Sequence, residues 1–133
     1  MTLNELYNDC ENNHIEVYPF KMKSNMKGVA LPSGDIGLDL DKIDNSTEEK
    51  EVLAHEECHI LGGYFYNVYS ELSLKSQQEY RANIATIKKL VPRDELIEAI
   101  HAGLFEHWEL SEYFEVSDEF MVKAMEYYGK DIA

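Results

Sequence analysis

At 133 residues the chain has the size of one compact domain that can bury a core without disulfides, and 44% hydrophobic with 29% charged residues excludes a disordered or fibrous protein. No apolar run approaches the roughly 20 residues that span a bilayer, which excludes an integral helical membrane protein. A net charge of −14 repels phosphate backbones, so direct nucleic-acid binding is not expected, while the same field favours encounter with a basic protein partner. The opening stretch MTLNELYNDCENNH has no basic region followed by an apolar run and so does not read as a secretory leader. Two cysteines, Cys10 and Cys58, fit free thiols in a reducing compartment, and the cytoplasm is the expected location.

In chain order, LNELYNDCENNHIEVYPF predicts a first helix of about 9–12 residues, then an extended piece over Ile15 to Tyr18 that Pro19 helps to end. KGVALPSGDIGLDLD predicts two short strands around Pro32, Ser33 and Gly34. Ile36, Leu38 and Leu40 alternate there with Gly37, Asp39 and Asp41, as in a hairpin with one buried face. Ser46 and Glu49 have capping-box spacing, and a helix is expected from there to Leu61, closed by Gly62 and Gly63. On it Val52, His55, Glu56 and His59 share one side, Ala54, Cys58 and Leu61 lie toward another, and only Lys50 and Glu57 look solvated.

A third helix is expected from about Gln77 to Leu90, stopped by Pro92. Short helices follow over Asp94 to Ala102, Glu106 to Phe114, and beyond Ser117. The fold class is therefore α+β, mostly helical, with a short hairpin. One domain is expected over 1–133, made of a core over 1–92 and a helical subregion over 93–133. LSEYFEVSDEFMVKAMEYY has the spacing of a helix-turn-helix, but the acidic excess of this end of the chain argues against an approach to phosphates.

The chemistry lies in VLAHEECHILGG. Residues four apart share a helical face, so His55 and His59 can converge on one metal ion, and Glu56 beside the first can reach a water in an open coordination position. The bland alternative is a polar helix face. Three ionisable groups interrupting a largely buried helix weigh against it, because their burial is costly without a partner such as a metal. A third ligand is needed, and Glu79 in QQEYRANIATIKKL is the candidate; Asn83, one turn on, is placed to hydrogen-bond a ligand histidine. Ser76 and Glu79 also have capping-box spacing, so Glu79 could instead close its own helix. His14, His101 and His107 read as surface or packing residues, and Cys58 as a small core residue. Tyr64, Tyr66 and Tyr69 are expected to pack over the far end of the site, where one hydroxyl could stabilise an oxyanion.

EKEVLAHEECHILGGYFYN, EYRANIATIKKLVPRDELIEA and WELSEYFEVSDEFMVKAMEYY, in that order, resemble the ImmA/IrrE family of zinc metallopeptidases from phages, prophages and mobile elements. The resemblance implies a small gluzincin-like fold of the HExxH type, with a short sheet beside the active-site helix. It implies Zn²⁺ held by His55, His59 and Glu79, with Glu56 as catalytic base, and Ala82 and Asn83 completing the family's second motif. Family members cleave or inactivate a DNA-binding repressor, an antirepressor role. Two departures stand out: Cys58 occupies a position that is often Gly, and Ile84, Ala85 and Thr86 follow Asn83 where an aromatic residue is common. The expected substrate is a basic repressor lying along the strand edge at Gly34 to Asp41. The open alternative is a non-proteolytic antirepressor that binds its partner and uses zinc only to support its fold. No expectation about oligomeric state follows.

Overall fold

A computed structural model describes the backbone of residues 1–132 and the side chains of residues 1–130. The first helix, α1 (Leu3–Asn12), starts at a reciprocal cap: Thr2 Oγ1 accepts from the Glu5 amide at 3.1 Å, and Glu5 Oε1 accepts from the Thr2 amide at 3.4 Å. Its apolar side carries Leu6 and Cys10 into the core.

Three short strands follow, β1 (Val17–Pro19), β2 (Gly28–Ala30) and β3 (Ile36–Leu38), in the spatial order β1-β3-β2. The hairpin expected around Pro32 to Gly34 is present: β2 and β3 are antiparallel with Val29 opposite Gly37, and Gly34 takes a φ of 93° in the turn. The extended piece ends at Pro19 as expected, the last residue of β1, where an edge position tolerates its missing N–H. Two details differ from expectation. β3 is covered on both faces, because Phe20 packs over Gly37, and it is Leu40 beyond the strand that is exposed. The segment Gly34 to Asp41 offers no free edge, since β3 is paired on both sides, in parallel with β1 and antiparallel to β2. The free edge on the side of the helices belongs to β2.

The central helix, α2 (Ser46–Gly62), packs against α1, β2, β3 and the third helix, α3 (Leu72–Leu90). Its cap is Asn45 rather than Ser46: the Asn45 side chain accepts from the Glu48 amide at 2.8 Å, while Glu49 turns away to accept the Tyr7 hydroxyl at 2.6 Å. Gly63 closes the helix in the left-handed conformation (φ 68°), which lets the Tyr64 amide turn back to the His59 carbonyl at 2.9 Å.

Lys50 and Glu57 are the clearest departures on this helix. Both are buried, at 2% and 0% exposure, because elements far away in sequence close over them. Lys50 Nζ donates to the carbonyls of Met1 (2.9 Å) and Phe114 (2.8 Å), and Glu57 pairs with Lys89 at 2.8 Å. Leu61, by contrast, is half exposed.

α3 begins at Leu72 rather than near Gln77, since its first turns leave Leu72 and Leu74 exposed and so carry no amphipathic signal. Ser76 is therefore inside the helix, and the alternative in which Ser76 and Glu79 cap its start is overturned. The short helices α4 (Arg93–His101), α5 (His107–Phe114) and α6 (Asp118–Ile132) follow the expected order. The start of α6 is fastened to α2 by Glu51, which accepts from the Ser117 amide at 2.7 Å and from its hydroxyl at 3.0 Å. Leu6, Leu38, Leu53, Leu90, Phe114 and Met121 belong to a continuous buried cluster linking these elements.

Candidate metal centre

The helical pitch brings His55 and His59 together as their spacing requires: the rings are 4.8 Å apart, edge to face, with Nε2 atoms 3.1 Å apart. Glu79 reaches across from α3. Its Oε2 lies 3.0 Å from His55 Nε2 and its Oε1 lies 3.0 Å from His59 Nε2. Donor atoms about 2.0–2.1 Å from a tetrahedral ion sit about 3.3 Å from one another, so these three groups are spaced almost as a zinc site needs them. They form a group of metal-compatible side chains among the described residues.

Hydrogen bonding explains why a cation fits. His59 Nδ1 donates to the Tyr64 carbonyl at 2.6 Å, and a carbonyl only accepts, so the proton of the neutral ring is on Nδ1. The Nε2 lone pair then faces a carboxylate oxygen and a second imidazole nitrogen, which is favourable only with a proton or a metal cation between them. Burial holds the His55 imidazole below its ordinary pKa, assisted by His59 and opposed by Glu79, which favours the neutral form that binds metals. Burial opposes charge on Glu79, but the Tyr66 hydrogen bond and the two histidines hold its carboxyl below the usual range.

The site opens into a cleft of about 980 Å³ between α2, α3, the β2 edge and the loop after Gly63. Glu56 lines it at 8% exposure, and among the described residues its carboxylate makes no hydrogen bond or ion pair. Burial pushes that carboxyl up to about 7, with His59 acting in the opposite direction and Glu79 in the same one. Gly28 lets β2 come this close: a Cβ there would meet Val52 Cγ1 at 2.7 Å and Glu56 Cγ at 3.1 Å.

A family model described as the IrrE N-terminal-like domain, Peptidase_M78, matches residues 30–126. The chain belongs to the Peptidase_M78 family. The matched span runs from the last residue of β2 into α6, and so takes in α2, α3 and all three groups of the candidate metal centre. Membership marks the protein as a metallopeptidase relative, while no curated protein and no solved structure matches it. No helix among the described residues of this Peptidase_M78 protein is long and apolar enough to cross a membrane.

Asn83 lines the cleft, but the hydrogen bonds to the two imidazoles from other residues come from Glu79 and the Tyr64 carbonyl; among the described residues none runs from Asn83 to either ring. Cys58 is buried away from the centre, its thiol toward Thr86. His14, His101 and His107 are exposed. Of the three tyrosines, Tyr69 is 94% exposed and covers nothing, whereas the Tyr66 hydroxyl donates to Glu79 Oε1 at 2.7 Å. The support given by the Tyr64 carbonyl has no signature in residue type, because any residue could supply it; the only hint is the Gly-Gly pair that forces the turn.

Replacing Glu79 by Ala tests its place as third ligand. The Glu79→Ala protein is expected to bind zinc at least on the order of 100-fold more weakly in chelator competition, since losing a ligand exceeds the 10–100-fold typical of outer contacts. Unchanged affinity would remove Glu79 from the centre.

Proposed function

We propose that the protein is a zinc-dependent endopeptidase of the gluzincin-like HExxH type that inactivates a basic DNA-binding repressor by cutting it, an antirepressor role in the setting of a phage or mobile element. The observation that carries the reading is Glu56: a buried carboxylate beside the His55, His59 and Glu79 cluster, lining the cleft, with no structural partner among the described residues. A zinc site that only supported the fold would have no use for it.

His55, His59 and Glu79 would hold the ion. When bound, zinc supplies a Lewis acid that polarises a peptide carbonyl and makes water nucleophilic near neutral pH. Glu56, whose carboxylate is free of other partners among the described residues, would take the proton of the attacking water and deliver it to the nitrogen of the departing amine. The substrate runs extended along β2, whose outer edge is unpaired and whose Gly28, Val29 and Ala30 line the cleft. Added-strand pairing would bring its scissile bond to Glu56 through main-chain hydrogen bonds. The charge of −14 would draw a basic repressor toward the protein.

The test is co-expression with basic DNA-binding repressors as candidate substrates. The substrate repressor is expected to appear as two fragments, and to stay whole when wild type is replaced by Glu79→Ala. A repressor that is released from DNA yet remains whole would identify the non-proteolytic antirepressor instead.

A further inference from the structure

We propose that Tyr66 is a positioning residue of the metal centre, its hydroxyl holding the Glu79 carboxylate in ligating position before the ion arrives. The inference rests on the zinc reading above and concerns how the centre is assembled. Glu79 needs such a support. It is the one donor that does not come from α2, its side chain is 38% exposed, and a glutamate on a helix surface samples several rotamers. Tyr66 donates to Oε1 at 2.7 Å, the oxygen that faces His59 Nε2 at 3.0 Å, and its ring stands edge-on to the His59 ring with centroids 6.4 Å apart.

The backbone puts Tyr66 there. Gly63 in the left-handed conformation sends the chain back over the end of α2, so the Tyr64 carbonyl receives His59 Nδ1–H at 2.6 Å, and two residues later Tyr66 reaches Glu79. One turn thus fixes two of the three donors, one through its main chain and one through a side chain. The polar contact of the tyrosine hydroxyl among the described residues is with Glu79, so its effect on the centre is routed through that carboxylate.

Zinc affinity is measured by chelator competition for wild type, Tyr66→Phe, Glu79→Ala and the double variant, with circular dichroism to compare helical content. Tyr66→Phe removes one oxygen from a half-exposed ring and should leave the spectrum unchanged. Expected is a 10–100-fold loss of affinity in Tyr66→Phe, and less than a twofold further loss when the same change is made in Glu79→Ala. The electronic spectrum of cobalt bound in place of zinc should shift in Tyr66→Phe, reporting a displaced carboxylate. Affinity within twofold of wild type, or an equal loss in both backgrounds, would overturn the inference while leaving the zinc reading intact. A wild-type protein that takes up no zinc would instead overturn the zinc reading, and this inference with it.

Discussion

Glu56→Gln protein is expected to keep its full complement of zinc and to lose peptide hydrolysis by about 10²–10⁴-fold, the range for removing a positioned general base. The amide has nearly the same shape, and Glu56 makes no hydrogen bond or ion pair among the described residues, so nothing in the packing is disturbed. Burial disfavours its charge in the metal-free protein, so the neutral amide should leave the thermal stability of that form equal or slightly raised. Zinc stoichiometry and a cleavage assay on the loaded protein, with a thermal melt of the metal-free one, check all three statements. Retained cleavage would take the base role away from Glu56. Lost zinc would mean that it belongs to the ligand set.

Lys89→Met should destabilise the fold by about 3 kcal/mol, the lower end of the range for breaking a buried ion pair from one side. Lys89 of α3 lies 2.8 Å from Glu57 of α2 and 2.6 Å from Asp9 of α1, joining three helices behind the metal centre. Glu57 has 0% exposure and relies on that ammonium: burial raises its carboxyl pKa, and the Lys89 contact is what opposes the rise. Lys89 keeps some solvent contact, with its side chain 19% exposed, which places the estimate at the lower end. Removing the more buried pair, as Glu57→Gln with Lys89→Met, should recover part of the loss, because the carboxylate left without its ammonium is then Asp9, whose side chain is 33% exposed. Urea titration of the metal-free proteins separates the cases. A Lys89→Met variant within about 0.5 kcal/mol of wild type would show that the contact is only a surface pair, for which such values are usual.

The clustering of His55, His59 and Glu79 was legible in the sequence because helical pitch alone brings the two histidines together, and because few oxygen donors follow on a second helix. Glu79 needed the structure to separate its two readings: the capping alternative depended on where α3 begins, and exposed Leu72 and Leu74 hid that start. The hairpin was legible for a similar local reason, through alternation around a turn.

Long-range placement was not legible. Lys50 and Glu57 look like solvated helix positions until Met1, Phe114 and Lys89 arrive from distant parts of the chain. The parallel pairing of β1 with β3, which leaves the cleft-side edge to β2, likewise depends on a contact between segments that share no local pattern. The support of His59 by a main-chain carbonyl has no residue signature at all.

Elemental analysis of the purified protein beside a His55→Ala variant decides whether His55, His59 and Glu79 form a zinc centre. About one zinc per chain in wild type, lost in His55→Ala with its helical content unchanged, is the result this geometry predicts. A wild-type protein that stays free of metal after zinc is supplied, or a variant that keeps its zinc in full, would contradict it.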